Sequence, residues 1–338
     1  MGSNGLIIVS ALALAALLAL QPTIAQAGEP HRLRVAVTAP VLAPLVESLG
    51  GGGVEVDSII PPGADPHTYE PPARLAGALD GYDVIVMSGP HHLRVEEVIL
   101  EWRRQGLLRH PIIVYYGNYT GCGLRPLEYG GSQNPHGYWW GPRSLAAVAR
   151  CVGEALAEAD PARAGYYTSR ASLYAAMAES LAGRLEGIKV AAYSPVVQYL
   201  VEESGGRLVY TAALGPGAEP AADAAAAVER LYRNGTIDVF VVTWVDEAMS
   251  RAARGLAERL RGLGVPVAVL PLGEPGLDPL EALALSQGAV LDAARRGPAA
   301  GGGGGGLPCG VASWWGVGVA GFMAGLVVAV AWVRASRG

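Results

Sequence analysis

The chain is expected to fold as α/β, with two parallel-sheet lobes joined by one long helix and a further apolar helix at the C-terminus. Three observations predict this. Short apolar runs rich in β-branched residues alternate with helix-like stretches from residue 31 onward. The alternation comes in two series of four, separated by a stretch at 161–185 with few strand formers. An uncharged run, Val311–Val333, closes the chain. Strands that alternate with helices imply parallel sheets covered on both faces.

The first series has strand-like runs at Leu33–Thr38, Val54–Ile60, Val84–Ser88 and Ile112–Tyr115. Helix-like stretches lie at Val41–Leu49, Arg74–Asp80, Val95–Arg104 and Ala146–Ala159. The second series has strands at Lys189–Tyr193, Leu208–Ala212, Ile237–Thr243 and Val265–Leu270. Its helices are expected at Val197–Ser204, Ala221–Arg233, Glu247–Gly262 and Leu280–Ala294. Between the series, Asp160-Pro161 reads as a helix start, an N-cap followed by proline at the first helical position. A helix over 161–185 would span roughly 37 Å, enough to run along both lobes.

The two ends read as export and anchorage. Residues 1–27 resemble a secretory signal, with an apolar core at Leu6–Leu20 and an Ala25-Gln26-Ala27 cleavage site, although the leading MGSNG carries no Lys or Arg. About 20 apolar residues cross a bilayer, so 311–333 reads as a membrane span. Trp314, Trp315 and Trp332 lie near its ends, and Arg334 and Arg337 follow on the expected cytoplasmic side. The expected organisation is a signal at 1–27, an N-terminal lobe at 28–160 and a linker helix at 161–187. A C-terminal lobe follows at 188–296, then a Gly-rich tether at 297–310, the span at 311–333 and a cytoplasmic tail at 334–338. The globular body would sit outside the cell membrane on a single C-terminal helix.

A composition of 51% hydrophobic and 16% charged residues excludes general disorder. A net charge of −5 argues against nucleic acid as partner. Cys122 and Cys151 fall in the exported body, where they either form a disulfide or remain two buried thiols, and Cys309 is left over. Asn118-Tyr119-Thr120 and Asn234-Gly235-Thr236 fit the N-glycosylation pattern.

The chemistry concentrates in the loops after strands. In parallel sheets, ligands bind beyond the carboxyl ends of the strands. The chain has six histidines, and four of them fall in such first-lobe loops. His67 lies in Pro61–Pro71, a proline-stiffened PPGADPHTYEP; His91 and His92 follow Gly89-Pro90; His136 follows Asn134-Pro135. Imidazole is the commonest metal ligand, and flanking prolines lower the entropy cost of holding it still. A loop imidazole bonded to a backbone carbonyl is the structural alternative for each. Tyr138, Trp139 and Trp140 after His136 could wall a cleft or simply pack.

AVTAPVLAPLVESLGG, VEVDSIIPPGADPHTYEP and YDVIVMSGP together resemble the first lobe of the zinc/manganese solute-binding proteins of ABC transporters. The resemblance covers about residues 33–296. It implies that His67 is a metal ligand and that His136, in Asn-Pro-His where the family has Asp-Pro-His, is a second. It also implies an ABC permease as partner and no enzymatic activity. The second lobe departs from the pattern. The family's third ligand position is Pro195 and its fourth is Leu270, neither of which can bind a metal. His92 or His91 could complete a three-nitrogen set, and Glu274 could swing in. A nitrogen-rich set suits zinc ahead of manganese, with nickel or copper also accepted. The alternative is a relative of the same fold that binds another solute or serves as a surface interaction module. A zinc hydrolase is disfavoured: the chain has no G-x-S-x-G and no HExxH.

Overall fold

β-Branched and apolar runs with little room for helical periodicity become the strands of two sheets. The computed structural model describes residues 32–61, 68–89, 93–215 and 217–296. The first lobe begins with β1 (Leu33–Val37), a 3₁₀ turn at Pro40–Leu42, α1 (Ala43–Gly50) and β2 (Val54–Ser58). It continues with α2 (Leu75–Leu79), β3 (Val84–Val86), α3 (Arg94–Arg104) and β4 (Ile112–Val114). Next come α4 (Tyr116–Gly121), a small antiparallel hairpin of β5 (Glu128–Tyr129) and β6 (Ser132–Gln133), and α5 (Pro142–Ala159). A connecting helix α6 (Ala164–Glu179) leads to β7 (Lys189–Ala192), α7 (Gln198–Glu203) and β8 (Arg207–Thr211). The second lobe ends with α8 (Ala224–Arg233), β9 (Val239–Thr243), α9 (Trp244–Met249), α10 (Arg251–Gly262), β10 (Val267–Leu270) and α11 (Pro279–Arg296).

The first sheet runs β2-β1-β3-β4 and the second β10-β9-β7-β8, every pair parallel. Numbered within each lobe, both orders are 2-1-3-4. Each sheet therefore has one point where connections leave in opposite directions, between its first and third strands. For the first lobe that point lies between β1 and β3, for the second between β7 and β9. Loops diverge there and leave a crevice at the carboxyl edge.

The connecting segment is shorter than a 25-residue helix. A 3₁₀ turn at Pro161–Arg163 precedes α6, which stops at Ser180. The start is as expected: Asp160 accepts the Arg163 N–H. Gly183 and Gly187 at φ 79° take left-handed conformations that a helix cannot contain. At 16 residues α6 spans about 24 Å. It touches both lobes. Arg170 Nε donates to the Ser48 carbonyl at 2.9 Å, and Tyr174 donates to Asp278 at 2.6 Å, whose other oxygen takes Ser48 Oγ at 2.7 Å. Against α5, a Cβ on Gly153 would lie 2.3 Å from that of Ala171, so small residues set the close approach of the two helices.

The helix expected over Glu247–Gly262 is broken at Ser250, which turns extended and caps Ala252 N with its own hydroxyl at 3.2 Å. α8 begins at Ala224 after Asp223. Cys122 and Cys151 are bridged, with Cα atoms 5.7 Å apart, which ties the end of α4 to α5. With the two cysteines 29 positions apart, the entropy model credits the bridge with about 3–4 kcal/mol. Among the described residues no helix is long and apolar enough to cross a membrane. The signal expected at 1–27, the tether at 297–310, the span at 311–333 and the tail lie outside the described residues.

Candidate functional site

The carboxyl edges of both sheets are held by buried carboxylates placed at the divergence points. In the first lobe the device is Glu96, in the first turn of α3 and 1% exposed. Its Oε1 accepts from Ser88 N at 2.6 Å, Ser88 Oγ at 2.9 Å and Thr38 Oγ1. Its Oε2 accepts from Gly89 N at 2.8 Å. One side chain thus fixes the residues that follow β1 and β3. Burial pushes its carboxyl up, and the Thr38 and Ser88 donors pull it back.

In the second lobe the device is Asp246, fully buried at the start of α9. It accepts Ser194 Oγ at 2.6 Å, from the loop after β7, and Thr243 N at 3.0 Å, at the end of β9. Thr243 Oγ1 in turn accepts Asp246 N at 3.0 Å, closing a capping box. Asp246 is thus a helix N-terminal charge that also ties α9 to the loop after β7 through Ser194.

The loop that carries His136 crosses from one lobe to the other. Asn134 is buried, and each of its polar atoms has a partner that dictates which way the amide faces. Its Oδ1 accepts the His136 N–H at 3.0 Å. Its Nδ2 donates to the Pro195 carbonyl at 3.0 Å and to Gln198 Oε1 at 3.0 Å. Gln198 cannot flip without loss, because its Nε2 donates to the Glu128 carbonyl at 2.9 Å. An aspartate at 134 would face two acceptors with no proton to offer. The departure from Asp-Pro-His is therefore tied to the second lobe, where Pro195 supplies a carbonyl.

Beyond His136 the chain turns through Gly137 at φ 75°. A Cβ there would lie 2.0 Å from the Val196 carbonyl oxygen. Tyr138 is fully buried and donates to the Ser88 carbonyl, beside Tyr119, which donates to the Met87 carbonyl at 2.8 Å. Tyr138 packs edge-on against Trp139 with centroids 4.8 Å apart, and Trp139 against Trp140 at 5.5 Å. Trp140 lies beside Gly273, in the loop after β10. The aromatic trio packs as core between the lobes. The indole N–H groups of Trp139 and Trp140 are buried and have no acceptor among the described residues.

Helix α5 starts immediately after this loop, and its exposed N–H groups are capped from the other lobe. Glu203 Oε2 accepts Arg143 N at 2.7 Å and Ser144 N at 2.9 Å, while Oε1 accepts Ser144 Oγ. These are first-turn donors that have no partner within their own helix, and a carboxylate there also meets the positive end of the helix dipole. Burial pushes the Glu203 carboxyl up, opposed by the Ser144 and Arg143 donors. Its folded pKa lies above the ordinary 4.5, so the fold favours the protonated form. Ser144 Oγ can reverse from donor to acceptor to receive that proton. The associated stability is complete below about pH 4.5 and is lost as pH rises through the folded value. The margin of the native protein over Glu203→Gln is therefore expected to be largest at about pH 4 and smaller at about pH 7, read as urea midpoints.

The sequence-predicted ligands are placed as follows. His136 is half-buried in the interlobe loop. His67, His91 and His92 lie outside the described residues, with Gly89 held by Glu96 two positions before His91. Glu274 is exposed, its N–H on the Pro271 carbonyl at 3.2 Å. Pro195 and Leu270 are buried, Leu270 fully, so the second-lobe wall at those two positions is apolar. Among the described residues, one group of metal-type side chains falls close enough together for an ion: Cys122, Cys151 and Glu154. Both sulfurs there are committed to the disulfide and offer no thiolate. Sequence reasoning missed Glu96, Glu203 and the double donation of Asn134. The one advance signal was Glu96-Glu97 in a helix's first turn.

The family described as zinc-uptake complex component A, periplasmic, matches residues 35–287. The iron-binding protein YfeA of Yersinia pestis is 28% identical over 150 residues, which are 44% of this chain and 47% of YfeA. A putative metal-binding protein of Treponema pallidum (strain Nichols) is 28% identical over 161 residues, 44% of this chain and 50% of that protein. The matched segment thus spans about half the length of these curated relatives. Among solved structures, the solute-binding protein FpvC of Pseudomonas aeruginosa, in complex with Mn²⁺, aligns with a TM-score of 0.61 at 22% identity. It covers 78% of this chain and 99% of FpvC. The crystal structure of ZnuA aligns at 0.57 and 21% identity, over 77% of this chain and 98% of ZnuA. At these identities the structural likeness is one of fold. The family match, which takes in both sheets and the helices between them, is broader: this chain belongs to the zinc-uptake complex component A family of periplasmic proteins.

Proposed function

We propose that the chain is an extracytoplasmic receptor that binds a divalent metal ion, zinc ahead of manganese, and delivers it to an ABC permease. The observation that carries this reading is the seating of the His136 loop across both lobes, at the carboxyl edges of the sheets, by Asn134. Family membership supports it, as does the kinship to proteins described as iron-binding and metal-binding. FpvC structures hold Mn²⁺ in one case and Ni²⁺ in another, so the fold accommodates several divalent ions. Zinc leads here on donor chemistry: His67 and His136, with His91 or His92, would form a nitrogen-rich set. The disulfide suits an oxidising compartment outside the cytoplasm. Signal 1–27 and span 311–333 would put the body there on a membrane tether. Membership in a family of uptake components agrees with a role without catalysis.

The test is equilibrium dialysis of the detergent-solubilised full chain, stripped of metal, against zinc and then manganese. His67→Ala and His136→Ala are each expected to weaken zinc binding by about 100-fold or more, at least what losing a hydrogen-bond partner of a ligand costs. Zinc affinity unchanged in both variants sinks the reading. A second reading, a relative that takes another solute, draws on the buried apolar side chains of Pro195 and Leu270. It is supported instead if the native chain binds neither ion.

A further inference from the structure

The two Asn-X-Thr triplets have opposite structural fates. Asn118 lies within α4, where its Oδ1 accepts Tyr115 N at 3.0 Å. The hydroxyl of Thr120 is turned away to the Gly117 carbonyl at 2.8 Å. Tyr119 between them is fully buried, its hydroxyl on Met87. An enzyme that had to draw this triplet into its own cleft would unwind the helix and extract a core tyrosine.

Asn234-Gly235-Thr236 is built differently. It leaves the end of α8 as an exposed turn, with Gly235 at φ 72°. Thr236 Oγ1 donates to Asn234 Oδ1 at 2.6 Å and Thr236 N donates to the same oxygen at 3.1 Å. Two donors on one amide oxygen withdraw electron density from the amide and make its N–H more acidic. Asn234 Nδ2 makes no hydrogen bond among the described residues. Beside it lies a depression of about 370 Å³ lined by Ala226, Glu229, Arg230, Arg233 and Asn234. Glu229 and Arg233 there pair with each other at 2.6 Å, and that pair together with Arg230 presents polar groups of the kind that meet sugar hydroxyls. The turn precedes β9, so it sits at the amino edge of the second sheet, the edge opposite that of the His136 loop.

We infer that Asn234 is an N-glycosylation site, its donor a lipid-phosphate-linked oligosaccharide, and that Asn118 is not modified. In the transfer, Asn234 Nδ2 attacks the anomeric carbon and a carbon–nitrogen bond forms. The bond from that carbon to the phosphate oxygen breaks, and the lipid phosphate departs with the electron pair. One Nδ2 proton passes to a base of the transferase. The inference rests on the export implied by residues 1–27 and is independent of metal binding.

The experiment is glycopeptide mass spectrometry on the full chain isolated from its own cell membranes. It is paired with in vitro transfer to the folded protein by an oligosaccharyltransferase supplied with a lipid-linked oligosaccharide. A glycan is expected at Asn234 in both and at Asn118 in neither. Asn234→Gln and Thr236→Ala should each abolish it, and Thr236→Ser should retain it. An unmodified Asn234 in the membrane-derived protein, or a glycan at Asn118, overturns the inference. Zinc dialysis of Asn234→Gln should match the native chain, so failure here and failure of the metal reading are separate results.

Discussion

Gly137→Ala is expected to lower stability by roughly 2–5 kcal/mol, through a left-handed backbone that only glycine takes without strain and an overpacked contact. The added methyl would sit 2.0 Å from the Val196 carbonyl oxygen, and that oxygen belongs to backbone, so neither side can rotate away. The loop must lift off the second lobe. His136, the preceding residue, moves with it. A urea titration should show the midpoint falling with little change in slope. Zinc dialysis should weaken in parallel, because the imidazole loses the position that Asn134 gives it. Gly137→Asn provides the control: asparagine tolerates a left-handed backbone but still collides, so a loss equal to that of alanine assigns the damage to the contact and not to the dihedral angle.

Glu96→Ala is the second large effect, about 3–5 kcal/mol. It strips the acceptor from four buried donors: Thr38 Oγ1, Ser88 N, Ser88 Oγ and Gly89 N. Ser88 N retains a bond to Thr38 Oγ1 at 3.1 Å, and the Gly89 N–H loses its only protein acceptor among the described residues. Glu96→Gln should fall between, because its amide oxygen can serve one set of donors while its NH₂ faces the other. Hydrogen exchange is the direct readout. The amides of Ser88 and Gly89 should lose protection in the alanine variant, ahead of those in β7 and β9. Uniform loss of protection across both lobes would contradict the local role assigned to Glu96.

Most of the fold could be read from alternation alone, since each strand is a run that periodicity separates from its neighbours. All eight expected strands form, shifted by two residues or fewer at every end. What was not visible was α4. Its segment, YGNYTG, has two glycines and poor helix propensity. It is helical because the Asn118 side chain accepts the Tyr115 N–H at its start and the buried rings of Tyr116 and Tyr119 hold it down. The connecting helix was overestimated because Gly183 and Gly187 act through backbone conformation, without a proline to mark the stop. The histidine loops announce themselves through rare residue types between prolines. Glu96 and Glu203 do not, because the groups they satisfy are largely backbone N–H donors, some of them about sixty positions away in the chain. Those donors carry no residue-type signature. The same holds for Asn134, whose function depends on a carbonyl of Pro195 in the other lobe.

The bridge between Cys122 and Cys151 closes a covalent ring around residues 123–150. Inside that ring lie the small hairpin, Asn134, His136, Gly137 and the start of α5. A protease that cuts once between the two cysteines leaves two fragments that travel together until reductant is added. The segment with His136 then has a free end but not a free path away from the molecule. The outcome of a single nick is therefore a looser molecule, where an unbridged chain would fall into two separate pieces once it unfolded.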